Sequence, residues 1–350
     1  MICKELLTRP DGTPIPDPPL PMLITGITGV PGYNALDYFQ KLFPGQVFGI
    51  RQEDNEKFEG TDIIVCNAED PEGLADVFDR YRFRSVLDCA GSCALKPCEV
   101  SPKSAWKNNV EVVRNILRQS VPHQARLVHL SIDLVFSGNK GGDYLEDDPT
   151  DPVTMYGKTM VAGEEAVLEE DPKAAILRIS LPMGVSFNGH AGAIDWIESR
   201  FSKSRPATLY FDEVRTPTYT DCMNRVYHEM LSGDFSGIYH AGGPRKLTLY
   251  QIAQIINRTG DYDPDHLFGI PRNHAGPIPP RAGDVTMDSS KLTQALGYQP
   301  FAPWPLDEDL VPTDRRWHYD RPEHEPRSPN YLIERLVTNP MFKSPGSQKS

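Results

Sequence analysis

The stretch Pro21-Met22-Leu23-Ile24-Thr25-Gly26-Ile27-Thr28-Gly29-Val30-Pro31-Gly32 decides the fold of this chain. Its first five residues form a short apolar run, and the glycines that follow have the spacing G-x-x-G-x-x-G. Residues 33–43 then carry apolar side chains at helical spacing. Strand, glycine turn and helix together predict a dinucleotide-binding unit, in which backbone amides and a helix N-terminus face a pyrophosphate. The predicted cofactor contacts in this unit are Gly26, Thr28, Gly29, Val30 and Gly32.

Beyond this unit the first half of the chain alternates apolar runs with helical stretches. The pattern predicts strands at 47–50, 62–66, 85–89, 125–132 and 174–179, and helices at 71–81, 104–119 and 153–169. The looser second half predicts helices at 189–201 and 248–257, a strand at 236–240 and a short helix at 331–337. The alternation predicts an α/β fold, a Rossmann-type doubly wound parallel sheet with a smaller C-terminal substrate-binding lobe.

The predicted organisation has four parts. They are an N-terminal extension (1–20), an NAD(P)-binding Rossmann domain (21–182), a substrate-binding lobe partly interleaved with the Rossmann sheet (183–310), and a charged, proline-rich tail (311–350).

Composition narrows the classes of partner. The formal net charge of -12 argues against nucleic acid and against an anionic membrane surface, because both need a basic face. No apolar run reaches the roughly 18 residues of a spanning helix, and residues 1–20 lack the apolar core of a signal peptide. We therefore expect a cytoplasmic protein.

The cysteines and histidines give no sign of a metal centre. The spacing Cys89-x3-Cys93-x4-Cys98 matches no zinc pattern, and the histidines show no metal-ligand spacing such as H-E-x-x-H. The sequence therefore predicts reduced thiols and no metal site.

Arg51 ends the second predicted strand, 25 residues after Gly26. An acidic residue there would bind the 2′-hydroxyl of the adenosine ribose, whereas an arginine accommodates a 2′-phosphate. No acid occurs until Glu53, so Arg51 favours NADP, with NAD as the alternative; an ordinary surface arginine is the other interpretation. Ala90 and Gly91, after the fourth strand, complete the predicted cofactor contacts.

The helix predicted from residue 153 presents Tyr156. A tyrosine that donates a proton to a carbonyl oxygen needs its pKa lowered from about 10, usually by a lysine one helical turn later. That position is Met160. Lys158 lies two residues on, which is roughly 200° around the helix. The stretch is typical of a reductase site with one part missing.

Two longer motifs reveal a family resemblance. They are Ser131-Ile132-Asp133-Leu134-Val135-Phe136-Ser137-Gly138 and Tyr156-Gly157-Lys158-Thr159-Met160-Val161-Ala162-Gly163-Glu164. The chain resembles an extended short-chain dehydrogenase/reductase, most closely the dTDP-4-dehydrorhamnose reductase group. That group carries S-T-D-x-V-F-x-G and Y-G-K-T-K-x-x-G-E at these places. Further matches lie at 88–91, 109–110, 215–221 and 237–243, and the resemblance covers roughly residues 20–305.

The resemblance implies a catalytic threonine, tyrosine and lysine, of which this chain keeps only Tyr156. The threonine falls at Ile132 and the lysine at Met160. General acid–base help is worth roughly 10²–10⁴-fold. Losing both groups predicts a slow enzyme or none.

Three further residues are catalytic candidates by the same resemblance. Asn109 resembles the family's helix asparagine, which supports the lysine through water, and Asp133 lies within the strand-exit motif. Ser131 is adjacent to the lost threonine. Because strand side chains alternate faces, Ser131 should point away from the site unless the register slips.

The second half should bind a nucleotide-linked sugar, as the family does. Arg215, Tyr219 and Arg281 are the candidates, because their charge or hydroxyl suits a diphosphate. Structural or surface ion pairs are the alternative role for the two arginines.

These observations predict an NADP-preferring oxidoreductase-like protein that reduces or binds a 4-keto-6-deoxy nucleotide sugar, with a degraded Thr/Tyr/Lys site. One alternative is a non-catalytic NADP-binding regulatory subunit with a protein partner. The regulatory β subunit of methionine adenosyltransferase, which is similar to these reductases, serves in that way. A second alternative is a nucleotide-sugar epimerase or dehydratase. A homodimer is compatible with each of them.

Overall fold

A parallel sheet forms the centre of the molecule. The computed structural model describes residues 6–54, 57–91, 94–189 and 191–342. The strands are β1 (Met22–Ile24), β2 (Val47–Arg51), β3 (Ile63–Val65), β4 (Ser85–Asp88), β5 (Arg126–Ile132), β6 (Ala175–Ile179), β7 (Pro182–Met183), β8 (Ala207–Tyr210), β9 (Val214–Arg215), β10 (Thr218–Tyr219), β11 (Gly237–Ala241), β12 (Leu247–Thr248) and β13 (Leu267–Ile270).

The main sheet has seven strands in the order β11-β6-β5-β4-β1-β2-β3, and each neighbouring pair in it is parallel. The other strands form the two-stranded sheets β10-β7, β12-β9 and β13-β8. The order reverses at β1, which pairs with β2 on one side and β4 on the other. In sheets of this type, ligands bind at such a switch point, outside the carboxyl ends of the strands.

Helices cover both faces of the sheet. They are α1 (Val30–Leu42), α2 (Pro71–Tyr81), α3 (Leu95–Val100), α4 (Pro102–Trp106), α5 (Val112–Ser120), α6 (Met155–Glu170), α7 (Ala193–Phe201), α8 (Thr220–Ser232), α9 (Leu249–Thr259), α10 (Ser290–Leu296) and α11 (Pro329–Leu332). A π-helical turn, Lys107–Glu111, joins α4 to α5, and a second, Ile333–Val337, follows α11. The predicted α/β fold with a parallel sheet is confirmed.

The strands bury alternate side chains in two apolar cores, one on each face of the sheet. Met22 and Ile24 of β1 belong to one core with residues of α1 and α8, whereas Leu23 belongs to the other with residues of α2 and α5. Because both faces are covered, the strands are continuous apolar runs, as expected for a parallel sheet.

The two ends of the chain are packed against the domain. Arg9 of the N-terminal extension donates to the buried carboxylate of Glu229 in α8, at 2.9 Å from Nε to Oε1. In the tail, Leu332 and Leu336 are fully buried, and Trp304 Nε1 donates to the Leu336 carbonyl at 2.8 Å. Both segments therefore contribute to the folded core.

The cysteines in the described part of the chain, Cys66, Cys89, Cys98 and Cys222, are free thiols. Cys3 and Cys93 lie outside the described residues.

Candidate functional site

The glycine turn between β1 and α1 is closed by contacts that only glycine allows. Gly26 has a φ of +60°, and a Cβ there would lie 2.1 Å from the carbonyl oxygen of Cys89. A Cβ at Gly32 would lie 2.4 Å from the carbonyl oxygen of Gly26. The Gly29 amide donates to that same Gly26 oxygen at 3.1 Å, and Gly29 caps α1 without a side chain. This geometry leaves the first turn of α1 open to an anion.

Asp88, at the end of β4, ties together three neighbouring strand ends. Its Oδ1 accepts from Thr25 Oγ1 at 2.6 Å and from the Ala90 amide at 3.1 Å. Its Oδ2 lies 2.7 Å from Nδ1 of His129 on β5, and both side chains are buried. The sequence had marked Asp88 only as a motif match, and it gave no sign of His129, because a contact between strands shows no local pattern.

A cleft opens over these strand ends. It is lined by residues 25–28, 50–52, 66–69, 90–91, 108 and 112. Of the predicted cofactor contacts, Gly26, Thr28, Arg51, Ala90 and Gly91 lie in this lining, whereas Gly29, Val30, Gly32 and Tyr156 do not. The stretch from residue 66 to 69 was missed, although it follows β3 at the same edge of the sheet.

Arg51 closes β2 beside this cleft. Its Nη1 donates to the carbonyl oxygens of Gln52 at 3.0 Å and Glu53 at 3.4 Å. Its Nε is buried and has no hydrogen-bond partner among the described residues. A phosphate on the adenosine ribose would give this donor an acceptor, so the residues present fit a 2′-phosphorylated dinucleotide.

Tyr156 lies in the first turn of α6. Thr154 caps this helix by accepting from the Gly157 amide at 2.9 Å. A Cβ on Gly157 would lie 2.2 Å from the carbonyl oxygen of Leu134, so this glycine lets α6 approach the exit of β5 closely. Lys158 is exposed, in agreement with its predicted direction away from Tyr156.

The side chains at the positions of the expected threonine and lysine are apolar and buried. Ile132 is 8% exposed and Met160 is 4% exposed. Both belong to the same apolar cluster as Tyr156, which is 7% exposed. Neither replacement can donate a proton or carry a charge.

Ser131 points to the opposite face of the sheet. Its Oγ donates to Oε1 of Glu164 at 2.5 Å. That carboxylate also accepts from Arg178, at 2.9 Å from Nε to Oε1 and 2.7 Å from Nη2 to Oε2. Ser131 therefore lies in a buried ion-pair network on the other face of the strand from Ile132, as the alternation of strand side chains predicts.

Asn109 lies in the π-helical turn between α4 and α5. Its Nδ2 donates to Thr159 Oγ1 at 2.8 Å, and Thr159 in turn donates to the Tyr156 carbonyl at 2.9 Å. A Cβ on Gly91 would lie 3.1 Å from Oδ1 of Asn109. Asn109 thus connects the cofactor cleft to the tyrosine helix. The lysine that this asparagine would support in the resembled family is Met160 here.

Asp133 and Arg215 form a buried ion pair with each other. Arg215 Nε donates to Oδ2 of Asp133 at 2.6 Å, and a second bond joins Arg215 Nη2 to Oδ1. Ser180 Oγ also donates to Oδ2, at 2.6 Å. These contacts pair the two charges inside the protein, which is the structural ion pair that the sequence left open as the alternative for Arg215.

Arg281 continues this network through Glu213. Its Nε and Nη2 lie 2.8 and 2.7 Å from Oε2 of Glu213, whose Oε1 lies 3.8 Å from Arg215 Nη1. Burial raises the pKa of the Glu213 carboxyl, although both arginines oppose the shift. Arg281 also stacks on the Tyr210 ring, 4.6 Å from its centroid. The charge predicted to bind a diphosphate is balanced inside the protein.

Tyr219 faces the C-terminal tail. Its hydroxyl donates to the Arg335 carbonyl and accepts from the Leu306 amide, each at 2.9 Å. The side chain is fully buried, and both hydrogen bonds of its hydroxyl are made inside the protein. Burial raises the pKa of this phenol far above its ordinary value.

The comparison with known families agrees with this architecture. Residues 22–307 match the family described as "RmlD substrate binding domain". The chain belongs to this family. The strand ends, the cleft and the tyrosine helix all lie within the matched range. Arg335, the tail residue that accepts a hydrogen bond from Tyr219, lies beyond it.

Two relatives with different names match this RmlD family member over most of its length. One is methionine adenosyltransferase 2 subunit beta of Bos taurus, 28% identical over 315 residues, which covers 85% of this chain and 89% of the relative. The other is dTDP-4-dehydrorhamnose reductase of Aggregatibacter actinomycetemcomitans, 25% identical over 262 residues, which covers 71% and 87%.

Solved structures share the fold of this RmlD family member. One is dTDP-4-dehydrorhamnose reductase of Bacillus anthracis in complex with NADP, with a TM-score of 0.70 and 20% identity over 81% of this chain and 95% of that one. Another is UDP-glucose 4-epimerase of Thermus thermophilus in complex with NAD, with a TM-score of 0.68 and 21% identity over 80% of this chain and 93% of that one.

In the described part of the chain, no helix has the length and apolar character needed to cross a bilayer.

Proposed function

We propose that this protein is a non-catalytic, NADP-binding subunit that keeps the cofactor cleft of a reductase without its proton-transfer apparatus. One observation carries the proposal: Ile132 and Met160 are buried apolar side chains in the same core as Tyr156, at the positions where the resembled reductases hold a hydroxyl and an ammonium group. A cytoplasmic location is part of the proposal and is supported by the free thiols.

Support for the cofactor comes from the glycine turn and from Arg51. The open first turn of α1 suits a pyrophosphate. The Arg51 guanidinium, whose Nε has no hydrogen-bond partner in the part of the chain that the structure describes, suits a 2′-phosphate. A bound NADPH would supply a hydride. The protein's own share of a reduction would be to deliver a proton from Tyr156.

The effect of losing the lysine on proton transfer by Tyr156 can be given as a free energy. An ammonium group about 4 Å from a phenolate stabilises it by about 4 kcal/mol at an effective dielectric constant near 20. Met160 supplies none of this, and Ile132 offers no hydroxyl to a substrate carbonyl. An epimerase or a dehydratase of this family would be weakened in the same way, because both use the tyrosine–lysine pair.

The proposed partner is a methionine adenosyltransferase catalytic subunit. Several relatives that match 84–85% of this chain are named as subunit beta of that enzyme. A subunit of this kind needs a stable fold and a ligand site but no acid–base pair. This chain has the cleft as a candidate ligand site, and Met160 stands where the lysine of the acid–base pair is expected.

A second candidate is slow reduction of a 4-keto-6-deoxy nucleotide sugar. Tyr156 is retained, and the charge of Arg215 acts on it electrostatically. This cation is shared with Asp133 and Glu213, so we expect it to replace the missing lysine only in part.

The two candidates are separated by measuring binding and turnover on the same sample. Calorimetry with NADP, followed by incubation with NADPH and a dTDP-4-keto-6-deoxy sugar, should give saturable binding and no enzyme-dependent oxidation of NADPH. Turnover that disappears in Tyr156→Phe would favour the reductase. Pull-down with a methionine adenosyltransferase catalytic subunit should retain the protein. Failure to bind NADP would remove both candidates.

A further inference from the structure

The cofactor cleft covers only one half of a dinucleotide. Its lining comes from the ends of β1 to β4 and from the turn before α5. In a Rossmann sheet the pyrophosphate lies at the first βα turn and the adenosine ribose at the end of the second strand. Since the sheet continues from β2 to β3, the adenine lies towards residues 66–69. The lining therefore corresponds to the adenosine half and the pyrophosphate.

The other half of the dinucleotide would extend towards β5 and α6. Ile132, Tyr156 and Met160 contribute nothing to the cleft lining, and they lie buried in one apolar cluster. The buried charges of Asp133 and Arg215 are bound to each other. Tyr156 keeps its hydroxyl, but Ile132 and Met160 offer no hydrogen bond to the ribose hydroxyls or to the carboxamide next to the nicotinamide ring.

We infer that the protein recognises the 2′-phospho-ADP half of the cofactor and is nearly indifferent to the nicotinamide. This inference rests on the proposed NADP-binding function and specifies its ligand class. The ligands are adenosine 2′-phosphate 5′-diphosphates, whatever is attached to the distal phosphate. Such a protein responds to the total amount of NADP(H) and not to the ratio of its oxidised and reduced forms.

Arg51 must then provide most of the selectivity for the 2′-phosphate. A second cavity, which shares residues 52, 66 and 67 with the cleft, is lined by the carboxylates Glu53, Asp54 and Asp70. Their charges repel a phosphate at the rim, and the Arg51 guanidinium offsets them. Without Arg51 the rim is acidic, so a 2′-phosphate would weaken binding.

Calorimetric titrations with NADP⁺, NADPH, 2′-phospho-ADP-ribose and NAD⁺ test the inference. The first three should bind within about threefold of one another, and NAD⁺ at least about tenfold more weakly, where tenfold is about 1.4 kcal/mol. Bound NADPH should keep the fluorescence spectrum that it has in water, because its reduced ring lies outside the cleft.

Arg51→Gln should reverse the preference, so that NAD⁺ binds more tightly than NADP⁺. Arg114→Gln, at an exposed position on α5, is the matched control and should bind like the wild type. Circular dichroism establishes that both variants are folded.

Two results would overturn the inference and leave NADP binding intact. One is a loss of about tenfold or more on removing the nicotinamide; the other is a difference of that size between NADP⁺ and NADPH. If none of the four ligands binds the folded wild type, the proposed function fails as well.

Discussion

Restoring the two missing polar groups, a hydroxyl at position 132 and an ammonium group at position 160, tests whether the site can still support reductase chemistry. In the double variant Ile132→Thr/Met160→Lys, both new side chains replace members of the apolar cluster that contains Tyr156. Position 160 lies one helical turn after Tyr156 in α6, so both side chains share a face of the helix. A lysine there is placed to act on the phenol.

The expected gain follows from two opposing effects. The new ammonium would favour the phenolate by about 4 kcal/mol at about 4 Å. Position 160 is only 4% exposed, so desolvation of the ammonium works against that gain, at several kcal/mol for a buried ion. We therefore expect any reductase activity to rise by about tenfold or more, near the low end of general acid–base catalysis.

The assay follows the absorbance of NADPH during incubation with a dTDP-4-keto-6-deoxy sugar. The control Ile132→Val/Met160→Leu alters the same positions without polar groups and should stay at the wild-type rate. Adding Tyr156→Phe to the double variant should abolish the gain. If the double variant is folded, binds NADP and shows no gain, the site has been rebuilt for another purpose and the argument from the missing pair is wrong.

Three further predictions concern stability, each checked by urea unfolding. Arg215→Met leaves the carboxylate of Asp133 buried and unpaired, so it should lower the free energy of unfolding by about 3–5 kcal/mol; a loss under about 1 kcal/mol would contradict the structural role. Arg9→Gln removes the cation from Glu229, which is 1% exposed, and should cost about 2 kcal/mol; an unchanged unfolding midpoint would show that the extension is not held there. Burial lowers the pKa of His228 from 6.5 to about 4, so the unfolded state takes up this proton first. Stability from this group is complete above about pH 6.5 and falls towards pH 4 by about 1.4 kcal/mol per pH unit, a slope that His228→Gln should remove.

The cofactor half of the site could be predicted because it depends on local sequence. The turn from Gly26 to Gly32 spans a few residues, and its closure follows from steric contacts that exclude any Cβ. Arg51 was located by its distance along the chain from that turn. Each feature follows from neighbouring residues and the known order of strand, turn and helix.

The catalytic and substrate residues could not be assigned in the same way, because their partners are distant in sequence. Asp133 and Arg215 are 82 residues apart, and Tyr219 contacts Arg335 over 116 residues. A charged or hydroxyl-bearing residue is visible in the sequence, but the group that binds it is not. Whether such a residue faces a ligand or another side chain depends on tertiary packing.

Helix α8 was missed for a related reason. Its residues from Cys222 to Leu231 are all buried. Its polar residues Arg225 and Glu229 are bonded to Thr8 and Arg9, which are more than 200 residues away in the sequence, and such partners leave no local pattern. The two-residue strands of the lobe are likewise too short to show an alternation.

The cofactor half and the catalytic half are built from separate elements, and this separation explains how one can persist without the other. Residues from β1 to β4 form the cleft, whereas β5 and α6 carry Ile132, Tyr156 and Met160. Burying a methionine instead of a lysine avoids the desolvation of an ammonium group, which costs several kcal/mol. The apolar replacements therefore favour the folded state over a site with a buried ammonium group. The cleft differs, because the left-handed backbone at Gly26 and the Nε of Arg51, which has no hydrogen-bond partner among the described residues, do not stabilise the unliganded protein. A ligand that completes these features would make them favourable, which supports the proposed binding function.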